Sequence, residues 1–138
     1  MHYTESEIKE LNSITRLKLM NSITGIKSAN LIGTISEKGC TNLAIFSSVV
    51  HLGSNPALVG FVMRPNKDVK RDTLDNILET KQFTINHVHS TFIEKAHYTS
   101  ISFNHDQSEF DYCNLESFYI DNYLPPFVKK SKVKLGLK

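Results

Sequence analysis

Residues 41–64 read TNLAIFSSVVHLGSNPALVGFVMR, and the fold turns on how this stretch is read. A small polar turn leads into a nearly continuous apolar arm. The arm breaks at Gly53-Ser54-Asn55-Pro56, recovers as ALVGFV and ends on Arg64. Two apolar arms around a Gly/Pro break predict sheet core. The first arm nevertheless carries Asn42, Ser47, Ser48 and His51 among its hydrophobes. Two readings of those positions stand. They face solvent on alternate residues of an ordinary strand, or they line the edge of a flat heteroaromatic ligand, with Ile45 and Phe46 as its apolar wall.

Working outward, SANLIGTISEKG predicts a strand that turns at Glu37–Gly39, with TNLAIFSSVVHL returning antiparallel and NPALVGFVMR as a third strand. Upstream, Thr4 and Glu7 form a candidate capping box, and Ile8, Leu11, Ile14 and Leu17 recur at helical spacing until Gly25. Downstream, the period changes. Val69, Leu74, Ile77 and Leu78 share one helix face, with Asp68, Asp72 or Thr73 as its cap. QFTINHV reads as a strand, and STFIEKAHYT as a short helix capped by Ser90 with Phe92, Ile93 and Ala96 inward. SISFNHDQSEFDYCNLES has no steady period and reads as an irregular loop. FYIDNYLPPFVKKSKVKLGLK holds two strands around Leu124-Pro125-Pro126, the last without a closing partner. Antiparallel strands with inserted helices predict a mainly β, α+β barrel-like fold rather than a doubly wound sheet.

Composition narrows the function classes. The 138 residues are 40% apolar and sized for one domain, 1–138, with a helical lead-in over about 1–25. Sixteen Lys and Arg against fourteen Asp and Glu give no global field for nucleic acid. The basic tail VKKSKVKLGLK has only Phe127 near it as a stacking platform, so it reads as a solvated strand face. The polar N-terminus lacks an apolar signal core, and no apolar run approaches the ~20 residues of a membrane span. Cys40 and Cys113 form neither a disulfide framework nor a CxxC pair, which places the chain in the reducing cytoplasm.

Among residues that carry chemistry, Arg64, Lys67, Lys70 and Arg71 fall just before Thr73 at a predicted helix start. Fixed cations, a hydroxyl and free helix amides are what a phosphate requires; a solvated basic loop is the other reading. With the adjacent hairpin, the cluster predicts one ligand with a planar head and a phosphate tail. His87 and His89 share a strand face, but no cysteine pair or glutamate at ligand spacing accompanies them, so no metal is expected. His97, beside Tyr98, Thr99 and Ser100, reads as a helix C-cap in preference to a pocket residue. No GxSxG or activated cysteine supports a nucleophile.

In succession, SANLIGTISEKGCTNLAIFSSVVHLGSNPALVGFVMRP, KRDTLDNILETKQFTINHV, AHYTS and SEFDYCNL resemble the flavin reductase-like, FMN-binding split-barrel family, from about Lys27 to Lys138. The resemblance implies a Greek-key split barrel with short inserted helices that forms a homodimer, with FMN in a groove near the dimer interface. It implies ring and ribityl contacts from Asn42, Leu43, Ala44, Ile45, Phe46, Ser47 and Ser48. Phosphate contacts would come from Arg64, Arg71 and Thr73, with Lys70 beside them. No catalytic acid or base is implied, because the chemistry is the flavin's. Family members usually continue past the position of Lys138, adding strands that close the barrel, so an open barrel is expected here. The implied activity is hydride transfer from NAD(P)H to flavin, with FAD the alternative to FMN. A flavin carrier or sensor without turnover, and a cofactor-free dimeric interaction module, are the rival readings.

Overall fold

The computed structural model describes residues 2–63 and 71–138. In chain order, the first half holds α1 (Glu5–Glu10), α2 (Ser13–Ser22), β1 (Asn30–Ile35), β2 (Thr41–Phe46), β3 (Val49–Ser54) and β4 (Ala57–Phe61). The second half holds α3 (Asp72–Thr80), β5 (Phe83–His87), α4 (Ile93–Tyr98), α5 (Glu109–Tyr112), β6 (Ser117–Phe118), β7 (Phe127–Val128) and β8 (Lys134–Leu137). The main sheet is antiparallel in the order β2-β1-β5-β8, and the pairs β3-β4 and β6-β7 stand apart from it. Among the described residues these sheets do not join into a closed barrel. The mainly antiparallel α+β class and the open barrel agree with the sequence.

Several local expectations change. The arm expected as one strand is two: β2 ends at Phe46, and Ser47-Ser48 turn the chain so that β3 pairs with β4. Ser48 Oγ holds this corner, donating to Val62 O at 3.0 Å and accepting from Val62 N–H at 3.2 Å. The lead-in keeps its capping box at Thr4 and Glu7 but stops at Leu11, where Asn12 Oδ1 accepts from Thr15 N–H at 2.9 Å and starts a second helix. Neither helix buries a residue. Arg71, rather than an Asp or Thr, stands at the cap of α3. His89 Nδ1, rather than Ser90, accepts from Thr91 N–H before α4, and Ile93 is exposed while Phe92 and Ala96 point inward. The final strand has a partner after all, since β8 pairs with β5.

Two-residue alternation sorts the sheet into faces. On one, Leu31 and Leu43 pack with Phe92, Ala96, Phe110, Cys113, Leu115 and Val128. The other lies under α3, and there Phe46, Phe61 and Phe83 meet edge to face at 5.0 and 5.4 Å. A polar pair sits at the centre of the apolar face. Asn86 Nδ2 donates to Leu31 O at 3.1 Å and Thr84 Oγ1 at 3.0 Å, and its Oδ1 accepts from Val128 N–H at 2.9 Å. Thr84 Oγ1 donates in turn to Pro126 O at 2.8 Å. These bonds dock residues 125–128 against the sheet. Gly33 makes the approach possible, because a Cβ there would stand 2.5 Å from both Pro126 O and Thr84 Oγ1. At the far edge the Tyr123 hydroxyl bridges Phe83 O at 2.7 Å and Leu137 O at 2.6 Å, tying β8 to β5.

Asn86→Ala orphans the buried Val128 N–H and should lower stability by about 2–3 kcal/mol. Tyr123→Phe, which removes one hydroxyl at the sheet edge, should cost about 1 kcal/mol. Urea unfolding followed by circular dichroism checks both. Equal midpoints for parent and Asn86→Ala would mean that the polar pair does not hold residues 125–128 in place.

Candidate cofactor-binding site

A cleft of about 760 Å³ runs along the outer edge of β2. In the antiparallel pairing with β1, alternate residues of β2 turn their amides away from the partner strand. Leu43 is one of these, since its N–H donates outward to Glu109 Oε2 at 2.8 Å. The same alternation turns the amides of Thr41 and Ile45 to the open edge. One wall is the start of α3 with Arg71 and Thr73, and the facing wall is the segment from Thr99 to His105 together with Glu109. Asn21 and Lys27 reach the same cleft from the N-terminal side.

The α3 end suits an anion. Arg71 is half-buried, and its Nε is enclosed without a hydrogen-bond partner among the described residues. A buried guanidinium N–H left unpaired is costly unless a ligand oxygen meets it. The first amides of α3 have no intrahelical acceptor, and the helix dipole adds to the attraction. Thr73, only 5% exposed, accepts from Asn42 Nδ2 at 2.9 Å, which leaves its hydroxyl proton to donate. Asn42 Nδ2 also donates to Thr34 Oγ1 at 3.2 Å, and Asn76 Nδ2 to that same oxygen at 3.1 Å. The polar end of β2 is thereby locked under α3. A second cavity of about 420 Å³ is walled by Glu37, Asp75 and Glu79 against Lys38, a balance that disfavours an anionic ligand.

Acidic groups offset part of this positive field. Asp72 Oδ1 lies 2.6 Å from His105 Nδ1, joining α3 to the facing wall. Glu109 is 8% exposed, and burial pushes its carboxyl above the usual carboxylate range. The amides of Leu43 and of Glu109 itself pull it back, and the charge of Asp72 adds to the rise. Burial also raises the Cys113 thiol, with the Glu109 charge as the second cause.

Of the residues singled out in the sequence, Asn42, Ala44, Ile45, Phe46, Ser47, Ser48, Arg71 and Thr73 line the cleft. Leu43 does not: its side chain is fully buried in the core because alternation points it to the other face, and its amide is taken by Glu109. The Ser48 hydroxyl is likewise engaged by Val62. Arg64 and Lys70 lie outside the described residues. His97 is exposed in the last turn of α4, away from the cleft lining. Among the described residues no group of three or more His, Cys, Asp or Glu could hold a metal ion, and no helix is long and apolar enough to cross a membrane. The sequence places residues 100–117 in an irregular loop and so misses the facing wall. The signal was short: Ser108 before Glu109, then Phe110 and Cys113 at helical spacing.

Comparison with known proteins agrees with this geometry. Residues 26–134 match the flavin reductase like domain. A protein of Shewanella frigidimarina NCIMB 400, described as a flavin reductase with a split barrel domain, is 45% identical, with a TM-score of 0.93 over all of this chain and 68% of its own. Nitrilotriacetate monooxygenase component B of Bacillus cereus shares the fold at 16% identity, with a TM-score of 0.85 over 99% of this chain and 66% of its own. An uncharacterized protein of Aquifex aeolicus is 29% identical over 136 residues, 97% of this chain and 69% of its own. The chain thus spans about two thirds of the length of these relatives. With its strands in split-barrel order and the match covering most of its length, the chain belongs to the flavin reductase-like domain family.

Proposed function

We propose that the chain binds FMN in the cleft beside β2 and acts as a flavin oxidoreductase, taking hydride from NAD(P)H. The observation that carries this reading is the buried Nε of Arg71 at the start of α3, without a partner among the described residues, at one end of a cleft floored by a strand edge. Arg71 and Thr73 would hold the phosphate, with Arg64 and Lys70 beside them. The edge amide of Ile45 and the residues Asn42, Ala44, Phe46 and Ser47 would meet the ring and ribityl chain. Leu43 serves from behind, filling the core so that β2 stays in register.

The flavin, when bound, supplies the redox chemistry by accepting hydride at its ring. The protein's part is to anchor the phosphate, orient the ring along β2 and limit water with the wall from Thr99 to His105. No side chain of the cleft is assigned as a proton donor to substrate. FAD is the alternative cofactor, a homodimer the proposed assembly, and the cytoplasm the proposed setting.

The purified protein should show flavin absorbance between 300 and 550 nm after FMN is added and the excess dialysed away. NADH or NADPH should bleach it; retained flavin that neither nicotinamide reduces would make the chain a carrier, and a flat spectrum would remove the flavin reading. Arg71→Ala should weaken FMN binding by about 1.5–3 kcal/mol through the lost charge-assisted contact. Riboflavin, which lacks the phosphate, should bind parent and variant alike. An equal loss for both ligands would place Arg71 somewhere other than at the phosphate.

A further inference from the structure

Glu109 is a buried acid on the wall of the cleft, and anchoring a phosphate gives it no role. Its Oε2 holds the amide of Leu43 on the open edge of β2, two residues from Ile45, whose amide turns to the same edge. The carboxyl enters from α5 while the anion-binding end enters from α3, so two opposed electrostatic groups line one cleft. Asp72, adjacent to Arg71, already presses on the charge of Glu109.

Building on the FMN reading, we propose that Glu109 is a positioning residue that makes cofactor binding proton-linked. Its carboxyl pins the β2 edge in either protonation state. In the charged state it opposes the anionic ligand seated at Arg71. Binding an anion then favours the protonated carboxyl, and by reciprocity protonation favours the anion. Affinity for FMN therefore rises as pH falls through the Glu109 titration and declines above it, in the range that burial has moved upward from 4.5.

Other titratable or charged groups line the same cleft or couple to this carboxyl. They are Asp72 and Arg71 at the start of α3, His105 on the facing wall, Cys113 at the end of α5 and Lys27 from the N-terminal side. β2, which packs directly on α5, carries none. The phosphate of FMN has its own second ionisation near pH 6, roughly that of a phosphoserine. All of these remain in a Glu109→Gln variant, which keeps an oxygen to accept from Leu43 N–H and loses the Glu109 charge, together with its push on Cys113 and Asp72.

The test is a fluorescence titration of the full chain with FMN at intervals from pH 5 to pH 8, for parent and Glu109→Gln. The ratio of parent to variant dissociation constants should grow by about fivefold across that range. A constant ratio overturns the proposal and shows that Glu109 only fills and braces the wall. A second measurement needs no variant: carbon-13 NMR of the Glu109 carboxyl, with and without saturating FMN, should show a higher titration midpoint in the complex. An unchanged midpoint overturns it as well. Absence of FMN binding at every pH removes the cofactor reading together with this one, whereas binding with a constant ratio removes this one alone.

Discussion

A sheet that ends in an unpaired strand leaves backbone amides that something must satisfy. Here that strand is β2, and its solution shapes the rest of the molecule. Glu109 reaches across from α5 to take the Leu43 amide, which brings the segment from Thr99 to Glu109 up beside the strand. Thr41 and Ser108 add a second tie, their hydroxyl oxygens 2.6 Å apart. On the other side α3 sits on the polar end of the same strand through Asn42, Thr34 and Asn76. The space between these two supports is the cleft. A ligand placed there meets strand amides at the edge and a guanidinium at the end, as a planar ring with a charged tail requires.

Much of this was legible in the sequence because it is written in local signals. The Gly39 turn, the period of α3 and the Gly/Pro break before β4 each depend on a few neighbouring residues. The polar positions of β2 were also readable, since Asn and Ser amid hydrophobes mark a surface that is not plain core. What could not be read is non-local. Nothing near Ser47 announces that β3 leaves the main sheet, because the corner is held by Val62, fourteen residues on. Leu43 was grouped with its neighbours as a ligand contact, although the pleat sends its side chain to the opposite face. The facing wall was invisible for a related reason. α5 is a single turn, too short for a period, and its main contact is with a strand 66 residues earlier.

The two ends of the cleft divide their labour by charge. Arg71 and the α3 amides attract, while Glu109 and Asp72 repel, and the Asp72–His105 pair joins the two walls. A site with only cations would hold any phosphate firmly in any state. Under the proposed proton linkage, acidic groups on both walls, Asp72 beside Arg71 and Glu109 on the facing wall, make occupancy depend on what else is charged.

The docking of residues 125–128 has a consequence for how the chain is made. Leu31 and Leu43 belong to a core that is completed by Phe110, Leu115 and Val128, and Thr84 and Asn86 wait for Pro126 and Val128. During synthesis Leu31 and Leu43 leave the ribosome well before Phe110, Leu115 and Val128 do. For that interval one face of the β1–β2 hairpin stands bare, together with the open β2 edge. Exposed apolar strands of this kind invite association between nascent chains. The late arrival of the segment after Tyr123 therefore leaves that face uncovered until Val128 reaches the sheet.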